Sequence, residues 1–189
     1  MRDILEKKVK SYRDPARQYH ALREGLQHLI LKILFRYLAF MGGTALRVIY
    51  DIRRFSEDLD FSLQKIKEHR FHFSALLKAV SDRLHDYRFS VDMKSKQTGA
   101  VNNVFFRFSR ILPELDLAKR PTEKISIKLK VDTNPPLHAA CETSLVQKEF
   151  IFSVIHHDLS TLFAGKLSGR SLFLSIGSSE NSINWTWPS

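Results

Sequence analysis

Residues Phe40 to Leu63 read FMGGTALRVIYDIRRFSEDLDFSL, and this stretch decides the fold. A short apolar run, Tyr37 to Met41, stops at Gly42-Gly43 and passes into Thr44 to Tyr50, the pattern of a strand, a tight turn and a helix, with Thr44 placed to cap the helix. After the polar segment Arg53 to Glu57, residues Asp58 to Leu63 alternate with a period of two. That predicts a strand with Asp58 and Asp60 on one face and Leu59, Phe61 and Leu63 on the other. Two carboxylates at i and i+2 point the same way, and like charges held that close are costly unless a cation lies between them. Mg²⁺, or Mn²⁺ in its place, is the natural candidate, because it is usually held by one or two carboxylates together with substrate phosphates. Gly42 and Gly43 carry no Cβ, so backbone N–H groups can approach a phosphate there, and the following helix turns its N-terminal N–H groups toward the same anion. The unit predicts a triphosphate cradle beside a metal site, the combination of positioning and charge neutralisation on which nucleotidyl transfer rests.

Working outward, apolar residues from Pro15 to about Arg36 (Tyr19, Leu22, Leu26, Leu29, Ile30, Ile33) recur at helical spacing, with Pro15 suited to a first turn. A second helix is expected from about His69 to His85, burying Phe73, Leu76, Leu77, Val80 and Leu84. Phe89 to Lys94, Val101 to Arg110 and Lys124 to Asp132 read as three consecutive strands, and Asn134-Pro135-Pro136 ends that region. A further short strand is expected at Glu149 to Ile155, then a helix capped by Asp158. The expectation is an α+β fold, a mixed sheet flanked by helices, over residues 1–170. The tail 171–189 is Ser-rich, has only Glu180 as a charge and lacks a helical period, so it is expected to pack poorly or stay disordered.

Composition narrows the function classes. With 189 residues, 43% hydrophobic and 26% charged, the chain is an ordinary globular protein rather than a fibrous or disordered one. The single cysteine, Cys141, forms no internal disulfide and has no activating partner, so an inert thiol in a reducing cytoplasm is expected. The most apolar window, His28 to Met41, is interrupted by Lys32 and Arg36 and is too short for a membrane span; the N-terminal MRDILEKKVKSYRD has no apolar core of a signal peptide behind its charges. The net charge of +10 fits either a polyanionic partner or plain solubility, since Lys and Arg are scattered along the chain.

The block from Phe40 to Leu63 resembles the core motif of the AbiEii/AbiGii family of nucleotidyltransferase-like toxins, a branch of the polymerase-beta-type nucleotidyltransferase superfamily. Three further blocks agree in order: Ile127 to Pro136 (IKLKVDTNPP), the Asp158-Leu159 turn, and Leu162 to Lys166 (LFAGK). The resemblance implies a polymerase-beta-type core, transfer of a nucleotide from a nucleoside triphosphate with Mg²⁺ or Mn²⁺, an acceptor that is RNA, tRNA included, or protein, and a cognate antitoxin as partner. It further implies that Gly43 and Thr44, beside Gly42, contact the nucleotide phosphates, that Asp58 and Asp60 hold metal, that Arg54 and Ser56 orient the loop or touch phosphate, and that Lys166 neutralises triphosphate charge. Polymerase-type sites want a third acid on an adjacent strand as general base or metal ligand. Lys128, Lys130 and Asp132 share one strand face and Asp132 fits that role, although related sequences often carry the acid where this chain has Lys130. The family also continues beyond the Lys166 helix with a basic, helical block, whereas here the Ser-rich tail follows. Two readings follow: an active transferase, or a truncated and inactive member that binds nucleotide, RNA or antitoxin. A small-molecule acceptor such as an aminoglycoside would want an acidic site, against the basic balance.

Other candidates carry less. His156-His157-Asp158 lacks the spacing of a metal motif, and His69 and His72 read as surface residues. Val104 to Phe108, with Arg107 and Arg110, suits either single-stranded RNA stacking or an alternating core strand. Trp185 and Trp187 have no assigned role.

Overall fold

The computed structural model describes residues 1–34, 38–53, 56–64, 72–134 and 138–174, with side chains at all of these except 97–98 and 168–174. In chain order the elements are α1 (Arg2–Lys10), α2 (Pro15–Leu34), β1 (Leu38–Met41), α3 (Gly42–Tyr50), β2 (Asp58–Leu63), α4 (Phe73–Asp86), β3 (Ser90–Thr98), β4 (Val101–Ser109), a short α5 (Ile111–Glu114), β5 (Ile125–Asp132), β6 (Cys141–Gln147), β7 (Ile151–His157) and α6 (Leu159–Leu174). The strands form one mixed sheet in the order β3-β4-β5-β2-β1-β7-β6. The parallel pairs are β2 with β5 and β1 with β7; the other neighbours are antiparallel. This is the α+β class expected from the sequence, a mixed sheet flanked by helices.

Alternation in the strands sorts the two faces of the sheet. Phe40 and Phe61, register partners on β1 and β2, stack with ring centroids 5.2 Å apart, and Leu59, Phe106, Phe108, Ile125, Ile127, Leu129 and Val131 extend the same apolar layer under α2 and α4. The aromatic run of β4 is split by the pleat: Val104, Phe106 and Phe108 are core, while Phe105 and Arg107 lie on the opposite face with Asp58 and Lys128. That opposite face is where the charged side chains of β2 and β5 gather.

Several boundaries differ from the sequence expectation. Helix α3 begins at Gly42 with Met41 as its N-cap, and Thr44 is no cap; its side chain is fully buried. Three elements had no expectation at all: the short α5, helix α1 and strand β6. Helix α1 docks Leu5 and Val9 into α2 at Gly25, where any Cβ would collide with Leu5. Strand β6 is an edge strand with little burial on either face, so it has no alternation to read, and only its pairing with β7 defines it. The onset of the helix expected from His69 (69–71), residues 35–37, Arg54, Pro135-Pro136 and the tail from 175 lie outside the described residues.

Candidate active site

The site is built at the C-terminal end of β1, where the chain turns into α3. Gly42 has φ +77°, and a Cβ built there would lie 2.6 Å from Asp60 Oδ2, so only glycine gives the turn both its left-handed backbone and its contact with the carboxylate. The α3 N-terminus, whose first-turn N–H groups have no acceptor within the helix, is thereby set against β2. Gly43 faces the Ser56 hydroxyl, which a Cβ would approach to 3.3 Å. The Thr44 hydroxyl donates to the backbone carbonyl of Asp58 at 2.5 Å and lies 2.7 Å from Ser56 Oγ, tying the helix to the loop before β2. The same loop is held from below by Gln27, buried on α2, whose side-chain amide donates to the carbonyls of Ser56 (3.2 Å) and Glu57 (2.9 Å). Gln27 escaped sequence reading; its signal is a polar residue in the apolar run between Leu26 and Leu29.

Asp58 and Asp60 lie on one face of β2, as the alternation predicts, and the parallel register sets Lys128 beside Asp58, Lys130 beside Asp60 and Asp132 beside Ser62. Lys130 Nζ lies 2.7 Å from Asp58 Oδ2 and 3.5 Å from Asp60 Oδ1, and Lys128 Nζ lies 3.5 Å from the same Asp58 oxygen. Burial raises the pKa of Asp60, with the Asp58 charge adding to it and the two lysines opposing. For Lys130 burial acts downward, but the hydrogen bond to Asp58 and the two carboxylate charges outweigh it and the net shift is up, so its ammonium persists.

A cavity of about 640 Å³ opens between this face and α6, lined by Gly42, Asp60, Asp132, His138, His157, Thr161 and Lys166, among others. It brings together expected residues from four parts of the chain. Asp158 holds the start of α6 by accepting the Thr161 N–H at 2.9 Å, and the Thr161 and Ser160 hydrogen bonds keep its carboxyl below the usual range. His157 was not expected in the site. Its Nε2 lies 2.7 Å from Ser62 Oγ, and Ala39, level with Ser62 on the intervening β1, leaves room for this reach. Burial lowers the His157 pKa, against the pull of Asp158, and so favours the neutral ring. His156 turns away, 2.8 Å from Ser144 Oγ, so the adjacent histidines do not converge. Among the described residues no three His, Cys, Asp or Glu side chains cluster as a metal centre would require.

Asp58 and Asp60 therefore face a cation already, and it is Lys130. Asp132, the third expected ligand, stands level with Ser62 rather than Asp60, and its Oδ1 accepts the Asn134 N–H at 2.9 Å. As arranged, these residues do not fit the divalent-ion centre that three acids would make.

Comparison with known proteins supplies the family. Residues 25–170 match the model of the nucleotidyl transferase AbiEii toxin of type IV toxin–antitoxin systems. Two solved structures share the fold. JHP933 from Helicobacter pylori is 23% identical with a TM-score of 0.51, over 77% of this chain and 54% of that one. A second H. pylori structure, named provisionally as that of a nucleotidyltransferase, is 23% identical with a TM-score of 0.53, over 77% of this chain and 56% of that one. The chain thus spans just over half the length of these neighbours. No curated protein sequence matches. With the strand, glycine turn, helix and Asp58-x-Asp60 unit inside the matched region, the chain belongs to the AbiEii nucleotidyltransferase toxin family.

Proposed function

We propose that this chain is the nucleotide-handling core of a toxin–antitoxin nucleotidyltransferase, working in the cytoplasm, that takes a nucleoside triphosphate at the α3 N-terminus and passes its nucleotidyl group to an RNA acceptor, tRNA included. The observation that carries the reading is the contact of Gly42 with Asp60, which sets the donor end of a helix directly against the paired carboxylates. Gly43 and the backbone of Thr44 cradle phosphate oxygens, Ser56 steadies the loop, and Lys166 with Lys128 offsets triphosphate charge across the cleft. Arg54, which the sequence motif also implicates, lies outside the described residues. Asp132, in the cleft wall, is the carboxylate that takes the proton from the acceptor hydroxyl.

The acceptor side rests on charge. On the solvent face of β3, β4 and β5, Lys94, the half-buried Phe105, Lys128 and Asp58 are successive register partners, with Lys96 and Arg107 in the flanking rows on either side. Cations around an aromatic ring suit a single-stranded nucleic acid. A second reading, a module that binds nucleotide, RNA or antitoxin without transfer, is favoured by Lys130 in the place of an acid.

Incubation with Mg²⁺, each labelled nucleoside triphosphate in turn and total cellular RNA, beside an Asp58→Asn, Asp60→Asn double variant, separates the two. Label in RNA from wild type alone is the expected result. Nucleotide binding without transfer in either protein selects the second reading, and equal labelling by the double variant overturns the proposed site.

A further inference from the structure

We propose that Lys130 is the resident cation of this site, standing where a divalent ion would otherwise bridge Asp58 and Asp60, so that the free protein is not a divalent-ion receptor. The strand register enforces the arrangement. Lys130 is the Cα partner of Asp60 in the parallel β2–β5 pair, and its side chain rises on the same face with Nζ at 2.7 Å from Asp58 and 3.5 Å from Asp60. Lys128, the partner of Asp58, adds a second ammonium at 3.5 Å. The two carboxylates and two ammonium groups sum to zero charge without any ion. A divalent ion entering between the carboxylates would displace Lys130 from both and then meet two ammonium groups at short range, in a site where Asp60 is largely withdrawn from water. Among the described residues no other acid compensates, since Asp132 stands level with Ser62, two positions further along β5. The same ammonium groups suit an entering triphosphate, which brings negative charge instead.

The inference concerns the residues of the proposed nucleotide site but not transfer, so the two fail separately. Mn²⁺ alone, without nucleotide or RNA, is the probe, titrated into wild type, Lys130→Gln and Lys130→Glu and read by the loss of the free-ion paramagnetic resonance signal. Wild type is expected to show no saturable binding below the millimolar range. Lys130→Gln should bind at least about tenfold more tightly and Lys130→Glu about a hundredfold, the order expected when one and then two unit charges change beside the ion. Asp58→Asn added to Lys130→Glu should remove the gain. Circular dichroism melting confirms that each variant is folded, and Lys130→Gln, nearly isosteric, carries the test if Lys130→Glu does not fold. Wild type binding Mn²⁺ as tightly as Lys130→Gln would overturn the proposal, as would a gain that survives Asp58→Asn.

Discussion

The Thr44 hydroxyl lies 2.5 Å from the backbone carbonyl of Asp58, joining the first turn of α3 to the strand that carries both carboxylates. Thr44 is wholly buried, so its proton has no solvent alternative. Thr44→Val keeps the shape and deletes the donor, leaving the Asp58 carbonyl and Ser56 hydroxyl short of a partner. The expected cost is about 1–3 kcal/mol in urea unfolding, with Thr44→Ser recovering most of it. Full stability in Thr44→Val would show that the joint is held by something else.

Gly42 is a sharper test of the same corner. Gly42→Ala puts a methyl on a left-handed backbone and within 2.6 Å of Asp60 Oδ2, so either the turn or the carboxylate must shift. A loss of about 1–3 kcal/mol is expected, together with weakened nucleotide binding in an equilibrium titration. Gly43→Ala, whose methyl meets the Ser56 hydroxyl at 3.3 Å and needs no positive φ, should be milder on both counts.

Acid sensitivity is expected from the far side of the sheet. His28, buried on α2, donates from Nδ1 to Glu149 at 2.5 Å, and Glu149 also pairs with Lys8. Burial, then the cations Lys8, Lys148 and Arg47, push the His28 pKa from 6.5 down to about 3. Between those values the unfolded chain binds a proton that the folded one refuses, so this stability is complete above about pH 6.5 and drains as pH falls toward 3. The slope is at most about 1.4 kcal/mol per pH unit. Urea midpoints measured from pH 8 to pH 5 should fall, and His28→Gln should flatten the decline; an unchanged slope in that variant would remove His28 as its source.

The basic face of β3 to β5 predicts a salt signature. Lys94→Ala, Lys96→Ala should weaken binding of a single-stranded RNA oligonucleotide and reduce the slope of log affinity against log salt by about 1–2, while leaving melting unchanged. Phe105→Leu should weaken binding with the slope intact, because stacking releases no counterions. An RNA affinity insensitive to all three substitutions would move the acceptor elsewhere.

Another surface bears on handling the protein. Leu159, Phe163 and Leu167 recur at one helical spacing on α6 and are 41%, 49% and 68% exposed, an apolar stripe that favours association of the protein at high concentration.

Much of this site was legible in one dimension because its parts are local. The period-two alternation of Asp58 to Leu63 by itself puts both carboxylates on one face, the Gly42-Gly43 pair marks the turn, and Asp158 caps α6 as its position before an apolar run suggests. These features depend on residues a few positions apart, and backbone geometry alone turns such spacing into direction. Helix α1 and strand β6 were not legible, because α1 is defined by docking Leu5 at Gly25 and β6 by an edge pairing with no buried face. What only the tertiary structure decided is which distant residue stands beside each carboxylate. The parallel pairing of β2 with β5 brings Lys130 to Asp60, and β1, with its small Ala39, lets His157 reach Ser62. Strand order and register come from how the whole apolar layer packs, a sum over contacts far apart in the chain, and no local pattern in the sequence carries that sum.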